Sequence, residues 1–369
     1  MDKAYLRSEA LSVGYRNTPL IRDLNFSLEK GEIFSLIGPN GAGKNTVLKH
    51  LIRQMTPLGG AVWLDGGQLR EYSGGELAKK MSAVLTQRVK TELMTCRDVV
   101  AAGRYPYTGR FGALSVHDRQ VVERSMELVH ISDLAERDFS QTSDGQKQRV
   151  MLSRAICQEP EIIVLDEPTA FLDIRHKIEL LDILRTMARE EKITVVMSLH
   201  EIDLAMKVSD KLLCVGGDGK TVFGTAEEIL NACPVDQLYS LEKGSYNPLF
   251  GSVELVKPEG KPRAFVVGGA GWGIGVYREL QKRQIPFAAG ILFENDVDYQ
   301  VAKELSDHVV SVPAFTPMGE EQFQTASKLL LSCHAVIDAG TPVGELNTMN
   351  GRLLELARQR AIPVWRKEV

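Results

Sequence analysis

Apolar runs of strand length alternate with stretches of helical period through most of the chain. Glu32–Gly38 (EIFSLIG), Glu161–Glu167 (EIIVLDE) and Ile193–His200 (ITVVMSLH) are nearly uninterrupted apolar segments, each closing in polar residues. Successive side chains point to opposite faces of a strand, so a run apolar at every position predicts burial on both faces, as in a parallel sheet covered by helices. Between Gln87 and Gln141 such runs stop, and His117–His130 (HDRQVVERSMELVH) carries its apolar residues at helical spacing, which predicts a helical insert. The expected fold class is α/β, with ligand chemistry gathered where the parallel strands end.

The pattern divides at Lys257–Arg263 (KPEGKPR), rich in proline, glycine and charge, which predicts a linker. Residues 1–257 then form one domain, with a helical subdomain at about 88–145, and residues 258–369 form a second. In the second, AFVVGG, PFAAGILF, HVVSVP, HAVIDAG and IPVWRK read as strands, separated by helical stretches such as GVYRELQKRQ and NGRLLELARQR. That alternation predicts a smaller, doubly wound, Rossmann-like sheet.

Bulk composition removes several function classes. At 369 residues the chain exceeds the roughly 250–300 at which a single core stops growing, in keeping with two domains. A net charge of −4 without a block of lysine and arginine gives no broad face for nucleic acid. Cys96, Cys157, Cys214, Cys233 and Cys333 lie far apart with no C-x-x-C pair, which argues against a zinc knuckle or a disulfide framework and fits a reducing compartment. The first residues, MDKAYLRSEA, lack a signal-peptide core, and nowhere do about 18 apolar residues run together, so a membrane role has to come through a partner.

The strongest chemical signal is GPNGAGKNT, Gly38 to Thr46, between a predicted strand and a predicted helix. Glycines at 38, 41 and 43 let backbone N–H groups wrap phosphates, the helix start adds its positive dipole end, and Lys44 reaches the β- and γ-phosphates. IIVLDE, Ile162 to Glu167, ends in two carboxylates as a Walker B strand does: Asp166 to hold Mg²⁺ and Glu167 to polarise the attacking water. In SDGQKQRVMLSRA, Ser143 and nearby N–H groups stand at a helix start, where they either grasp an anion or simply cap the helix.

Together these residues resemble the ATP-binding subunits of ABC transporters, over roughly residues 3 to 255. The resemblance implies that ATP is cradled by Gly38, Pro39, Asn40, Gly41, Ala42, Gly43, Lys44, Asn45 and Thr46, with adenine stacked on Tyr15. It also implies that Gln87 (Q-loop) touches Mg²⁺, that Ser143, Gly145 and Gln146 (SDGQ, for the signature LSGGQ) and Asp173 (D-loop) serve the partner's nucleotide, and that His200 is the switch histidine. The implied assembly is a head-to-tail pair of copies on a multi-span permease at the cytoplasmic membrane face, fed by a substrate-binding protein. DVVAAGRYPYTGRFG is similar to the G-R-x-P stretch of importers for iron(III)-siderophores, haem and cobalamin, and Arg104, Tyr105 and Tyr107 are expected to anchor a permease helix. The rival readings are a soluble ABC-type regulatory, repair or assembly ATPase, and a redox enzyme centred on the second domain.

Two positions depart from the family pattern. Asn45 stands where the metal-ligating serine belongs; its amide oxygen is a ligand of the right kind, but it is longer and carries a competing NH₂, so Mg²⁺ affinity should fall. Asp144 replaces a signature glycine and brings a carboxylate toward the partner's γ-phosphate, costly if it faces the phosphate and cheap if it points outward. The expectation is an ATPase with weakened Mg²⁺ dependence, against a rival that binds ATP without hydrolysing it.

The second domain offers Gly268–Gly273, a G-x-A-x-x-G variant of the dinucleotide fingerprint, with Glu294 and Asp296 as candidate ribose acids. A second strand-end loop carries Thr341, Glu345 and Asn347. Either these loops share a small ligand, making this a sensing domain, or the glycines serve only close strand-to-helix packing.

Overall fold

The computed structural model describes residues 4–85, 93–109, 112–232, 235–239, 244–247 and 250–366. The chain forms two compact units, Met1–Ser240 and Leu241–Val369. The division falls upstream of the Lys257–Arg263 stretch.

The first unit runs β1 (Leu6–Tyr15), β2 (Thr18–Leu28), β3 (Ile33–Ile37), α1 (Lys44–Leu51), β4 (Gly59–Leu64), β5 (Gly67–Gln68), α2 (Gly74–Lys80), β6 (Met81–Val84), α3 (Cys96–Ala101), α4 (Val116–Leu128), α5 (Asp144–Cys157), β7 (Ile162–Asp166), α6 (Ile174–Glu190), β8 (Thr194–Ser198), α7 (Ile202–Val208), β9 (Lys211–Val215), β10 (Thr221–Gly224), α8 (Ala226–Ala232) and α9 (Val235–Leu238). Its central sheet has the order β10-β9-β3-β8-β7-β6, parallel except for the β9–β10 hairpin. Alternation along these strands splits the core into two layers. Ile33, Ile163, Leu165, Val195 and Met197 face the helices, including the insert residues Val99, Val122 and Met126. Phe34, Leu36, Val164 and Val196 face α1 and the antiparallel sheet β2-β1-β4-β5. A side chain buried this way contributes about 1.5–3 kcal/mol, and the two layers hold the carboxyl ends of β3, β7 and β8 side by side.

The helical insert is anchored by charge. Arg104, fully buried, donates from Nε to Asp118 Oδ1 at 2.8 Å and from Nη1 to Glu159 Oε2 at 2.6 Å and the Cys157 carbonyl at 2.9 Å. The Tyr107 ring lies against the guanidinium, 4.1 Å from centroid to Cζ. Arg104 is therefore spent inside the protein and cannot anchor a partner at the surface, which corrects the expectation from sequence; Tyr105, 80% exposed, and Tyr107, 38% exposed, remain at the surface.

The second unit runs β11 (Ser245–Asn247), β12 (Ser252–Glu254), β13 (Ala264–Val267), α10 (Ile274–Lys282), β14 (Phe287–Phe293), α11 (Val297–Leu305), β15 (His308–Val312), α12 (Glu320–Ser332), β16 (Ala335–Asp338), α13 (Thr348–Gln359) and β17 (Val364–Arg366). Its five-stranded sheet, order β15-β14-β13-β16-β17, is parallel throughout and doubly wound as expected. The β11–β12 hairpin belongs to this unit: Glu254 accepts both terminal nitrogens of Arg278, and the Leu255 carbonyl accepts from Gln281.

Candidate functional site

The loop between β3 and α1 is built by backbone constraint. Gly38 has φ 148, and a Cβ there would stand 2.1 Å from the Val215 carbonyl oxygen; Gly43, φ 114, would press on Leu20. Only glycine suits both places. No side chain caps α1 and no acid sits in its first turn, so its leading N–H groups and positive dipole end face the cleft. Lys44 is buried and folds back, its Nζ donating to the carbonyls of Gly38 (2.7 Å) and Pro39 (3.1 Å). Burial lowers its pKa, while Glu167 and Asp166 pull the other way.

A cleft of about 330 Å³ opens over this loop, lined at one end by Tyr15, Leu20 and Lys49 and at the other by Lys44, Asn45, Asp166 and Glu167. That volume lies at the low end of small-molecule sites. Tyr15 is half exposed and its hydroxyl accepts from Thr46 Oγ1 at 3.0 Å, which tethers an aromatic face beside the glycine loop. Leu20 and Lys49 were not singled out in the sequence, because each reaches the cleft only through the fold of a neighbouring strand and helix.

The acidic end comes from β7 and β8. Asn45 Nδ2 donates to Asp166 Oδ2 at 2.5 Å, and Ser198 Oγ donates to Asp166 Oδ1 at 2.8 Å. The next residue, Glu167, has φ 52, an unfavourable conformation for a side chain of its size; its N–H is held by Ser198 Oγ at 2.9 Å. His200 Nε2 stands 2.7 Å from Glu167 Oε1. A carboxylate beside an imidazole at a strand end can orient a water and take its proton. Asn45 Oδ1 is buried with no hydrogen-bond partner, so one uncommitted oxygen lies beside the Asp166 carboxylate, a donor set suited to a hard cation such as Mg²⁺. Gln87 lies outside the described residues. Among those described, no group of three or more His, Cys, Asp and Glu is placed to hold a metal by itself.

The signature residues stand outside this cleft. Ser143 caps α5 in a reciprocal box with Gln146: Ser143 Oγ accepts from Gln146 N at 3.3 Å, and Gln146 Oε1 accepts from Ser143 N at 3.0 Å. Both candidate contacts therefore serve the helix end in the single chain. Asp144 points outward, 68% exposed, with Lys147 Nζ 4.0 Å away. Gly145 packs against Leu172 of the D-loop, and Asp173 caps α6 by accepting from His176 N at 2.9 Å.

In the second unit, the glycine loop after β13 is already occupied. Asp298, buried on α11, accepts from the N–H groups of Gly269 (2.5 Å), Gly273 (2.8 Å) and Ile274 (3.2 Å), while Asp296 Oδ2 accepts from Ala270 N at 2.6 Å. A dinucleotide would place its diphosphate on these donors. The chain's own carboxylates fill that position, so Asp296 serves the loop rather than a ribose. Thr341 Oγ1 donates to the Gly269 carbonyl at 3.1 Å, and Asn347 accepts from Gly344 N within its own turn at 2.6 Å. Glu294 and Glu345 are exposed.

Comparison with known proteins places the first unit. The ABC transporter family matches residues 21–170, and a family named MJ0874 matches residues 287–368. An uncharacterized ABC transporter ATP-binding protein, MJ0873 of Methanocaldococcus jannaschii, is 40% identical over 288 residues, covering 78% of this chain and 99% of the relative. The probable siderophore transport system ATP-binding protein YusV of Bacillus subtilis is 35% identical over 72% of this chain and 97% of its own length. The cobalamin import ATP-binding protein BtuD of Halobacterium salinarum is 29% identical over 89% and 83%. Among solved structures, an inward-facing transporter described as of metal-chelate type matches with TM-score 0.57 at 28% identity, over 64% of this chain and 89% of that one. A dimeric post-hydrolysis state of the ATP-binding cassette MJ0796 with ADP and Pi matches with TM-score 0.54 at 25% identity, over 60% and 98%. The glycine loop, the paired carboxylates and the histidine at the strand ends are thus parts of an ATP-binding cassette, and the chain belongs to the ABC transporter family of ATP-binding proteins.

Proposed function

We propose that this chain is the ATP-hydrolysing subunit that energises an importer of iron(III)-siderophore, haem or cobalamin. One observation carries the reading: Lys44, Asn45, Asp166, Glu167 and His200 converge at the ends of three adjacent parallel strands around one cleft. Tyr15 stacks the adenine, the Gly38–Thr46 loop holds the phosphates with Lys44 on the terminal ones, Glu167 orients the attacking water and His200 holds Glu167. Mg²⁺, when bound by Asn45, Asp166 and Gln87, neutralises charge on the phosphates.

Ser143, Gly145, Gln146 and Asp173 complete the site of a second copy, head to tail. Phe171 and Ile174, each 78% exposed beside Asp173, favour that pairing, since apolar side chains so placed gain from burial in an interface. A groove of about 560 Å³ beside the 80%-exposed Tyr105, lined also by Ala101, Ala102, Pro106 and Leu114, suits a helix of a membrane permease. Among the described residues no helix is long and apolar enough to cross a membrane, so attachment through that permease, at the cytoplasmic face, is the proposed location. The names of the siderophore and cobalamin relatives support the cargo class. Residues 258–369 are proposed as an appended regulatory domain.

A second reading, a nucleotide-binding subunit that hydrolyses weakly, is favoured by the Asn45–Asp166 bond. Measuring ATP binding and turnover by wild type and Glu167→Gln, copurified with the permease, tests the first reading. Turnover lost with binding kept supports it; equal turnover by both forms contradicts it.

A further inference from the structure

Glu201 is the N-cap of α7, yet its side chain makes no capping bond. It turns the other way, accepting from Thr169 Oγ1 at 3.0 Å on one oxygen and from Lys177 Nζ at 2.5 Å on the other. An acid at a helix start normally serves that helix's own N–H groups. This one instead bridges three segments: the turn after Glu167, the first turns of α6, and the loop carrying His200.

We infer that Glu201 is a positioning residue that fixes His200 against Glu167 and ties both to the end of α6 that meets a second copy. The contacts close a ring: Glu167 to His200 at 2.7 Å, His200 to Glu201 through the chain, Glu201 to Thr169 at 3.0 Å, and Thr169 back to Glu167 through Pro168. Thr169 is buried, so the ring has little room to shift. Burial alone would raise the Glu201 carboxyl, but Lys177 and Thr169 outweigh it and keep the group below its ordinary value, hence charged.

Lys177 links this ring to the surface. It lies on α6 between Ile174 and Ile178, which with Phe171 form an exposed apolar stripe. A copy covering that stripe would exclude water around the Lys177–Glu201 pair and strengthen it. His200 would then be held more firmly in the pair than in the single chain. This inference rests on the head-to-tail reading above.

The test compares wild type, Glu201→Ala, Glu201→Gln, Lys177→Met and the Glu201→Ala/Lys177→Met double variant as full-length chains. kcat and KM for ATP are normalised to sites that bind a fluorescent ATP analogue, so loss of folded protein does not enter. A misplaced catalytic group predicts kcat down at least about tenfold in Glu201→Ala with KM within about twofold. Glu201→Gln, still able to accept from Thr169, recovers to within about threefold of wild type, and the double variant is no worse than Glu201→Ala because the two side chains act as one unit. Wild-type kcat in Glu201→Ala, a change in KM alone, or losses that multiply in the double variant would overturn the inference and leave the proposed function standing. A wild type without any turnover would overturn both.

Discussion

Asn45 Nδ2 donates to Asp166 Oδ2 at 2.5 Å, joining the residue after the P-loop lysine to the acid at the end of β7. A serine in that place would offer one hydroxyl oxygen to a metal. The longer amide spends its nitrogen on Asp166, leaving Oδ1 buried and without a partner. An unpaired buried acceptor costs about 1–3 kcal/mol, so the site is strained toward taking a cation while one carboxylate oxygen is shared with an amide. The two effects oppose each other, and under the proposed Mg²⁺ role competition for Asp166 would set the metal requirement.

Arg104 and Tyr105 are adjacent but should fail in different ways. Arg104→Ala leaves Asp118 buried and without its guanidinium, a loss of about 3–5 kcal/mol by the general cost of breaking a buried pair. Tyr105→Ala removes an exposed ring and should leave stability within about 0.5 kcal/mol, while uncoupling ATP turnover from the permease. Urea melts beside permease-stimulated ATPase assays separate the two; a Tyr105→Ala protein as unstable as Arg104→Ala would refute the assignment.

Glu161 joins three segments. Its carboxylate accepts from Tyr5 (2.8 Å), Lys30 (2.6 Å) and Lys80 (2.8 Å). Burial pushes its pKa up, but the two lysines and the tyrosine outweigh that and hold it at about 2 against an ordinary 4.5. A depressed carboxyl stabilises the fold above its unfolded value and loses that contribution as pH falls, here between about 4.5 and about 2. Glu161→Gln should cost about 1 kcal/mol at pH 7, discounted for partial exposure, and the difference from wild type should vanish toward pH 2. Denaturant midpoints across that range measure it.

Asp298 gives the second unit its own signature. If carboxylates fill the glycine loop, NADH should leave the thermal transition of the full chain unmoved. Asp298→Asn, which leaves the three N–H donors without a charged acceptor, should destabilise this unit by about 1–3 kcal/mol. A clear upward shift with NADH would restore the dinucleotide reading.

The sequence carried most of the first unit because its signals are local. GPNGAGKNT and IIVLDE fix strand, loop and helix within a few residues, and burial at every position of Ile162–Asp166 matches the run of apolar letters. What it could not carry depends on contacts across the chain. Arg104 read as a surface anchor because nothing nearby shows that Glu159 and Cys157, far along the chain, close over it. Asp298 does not stand out in the sequence beside Glu294 and Asp296, since its reach back to Gly269 exists only once α11 packs beside α10. Glu201 was passed over beside His200, its partners lying on α6 and the turn after β7.

The most direct test of the account is ATP turnover by the chain with its permease, titrated with Mg²⁺ and set beside Asn45→Ser. Asn45→Ser should reach half-maximal turnover at a lower Mg²⁺ concentration, with maximal rates converging at saturation. Superimposable Mg²⁺ curves for the two forms would contradict the role given to Asn45, and absence of turnover by both would contradict the assignment of the chain as an ATPase.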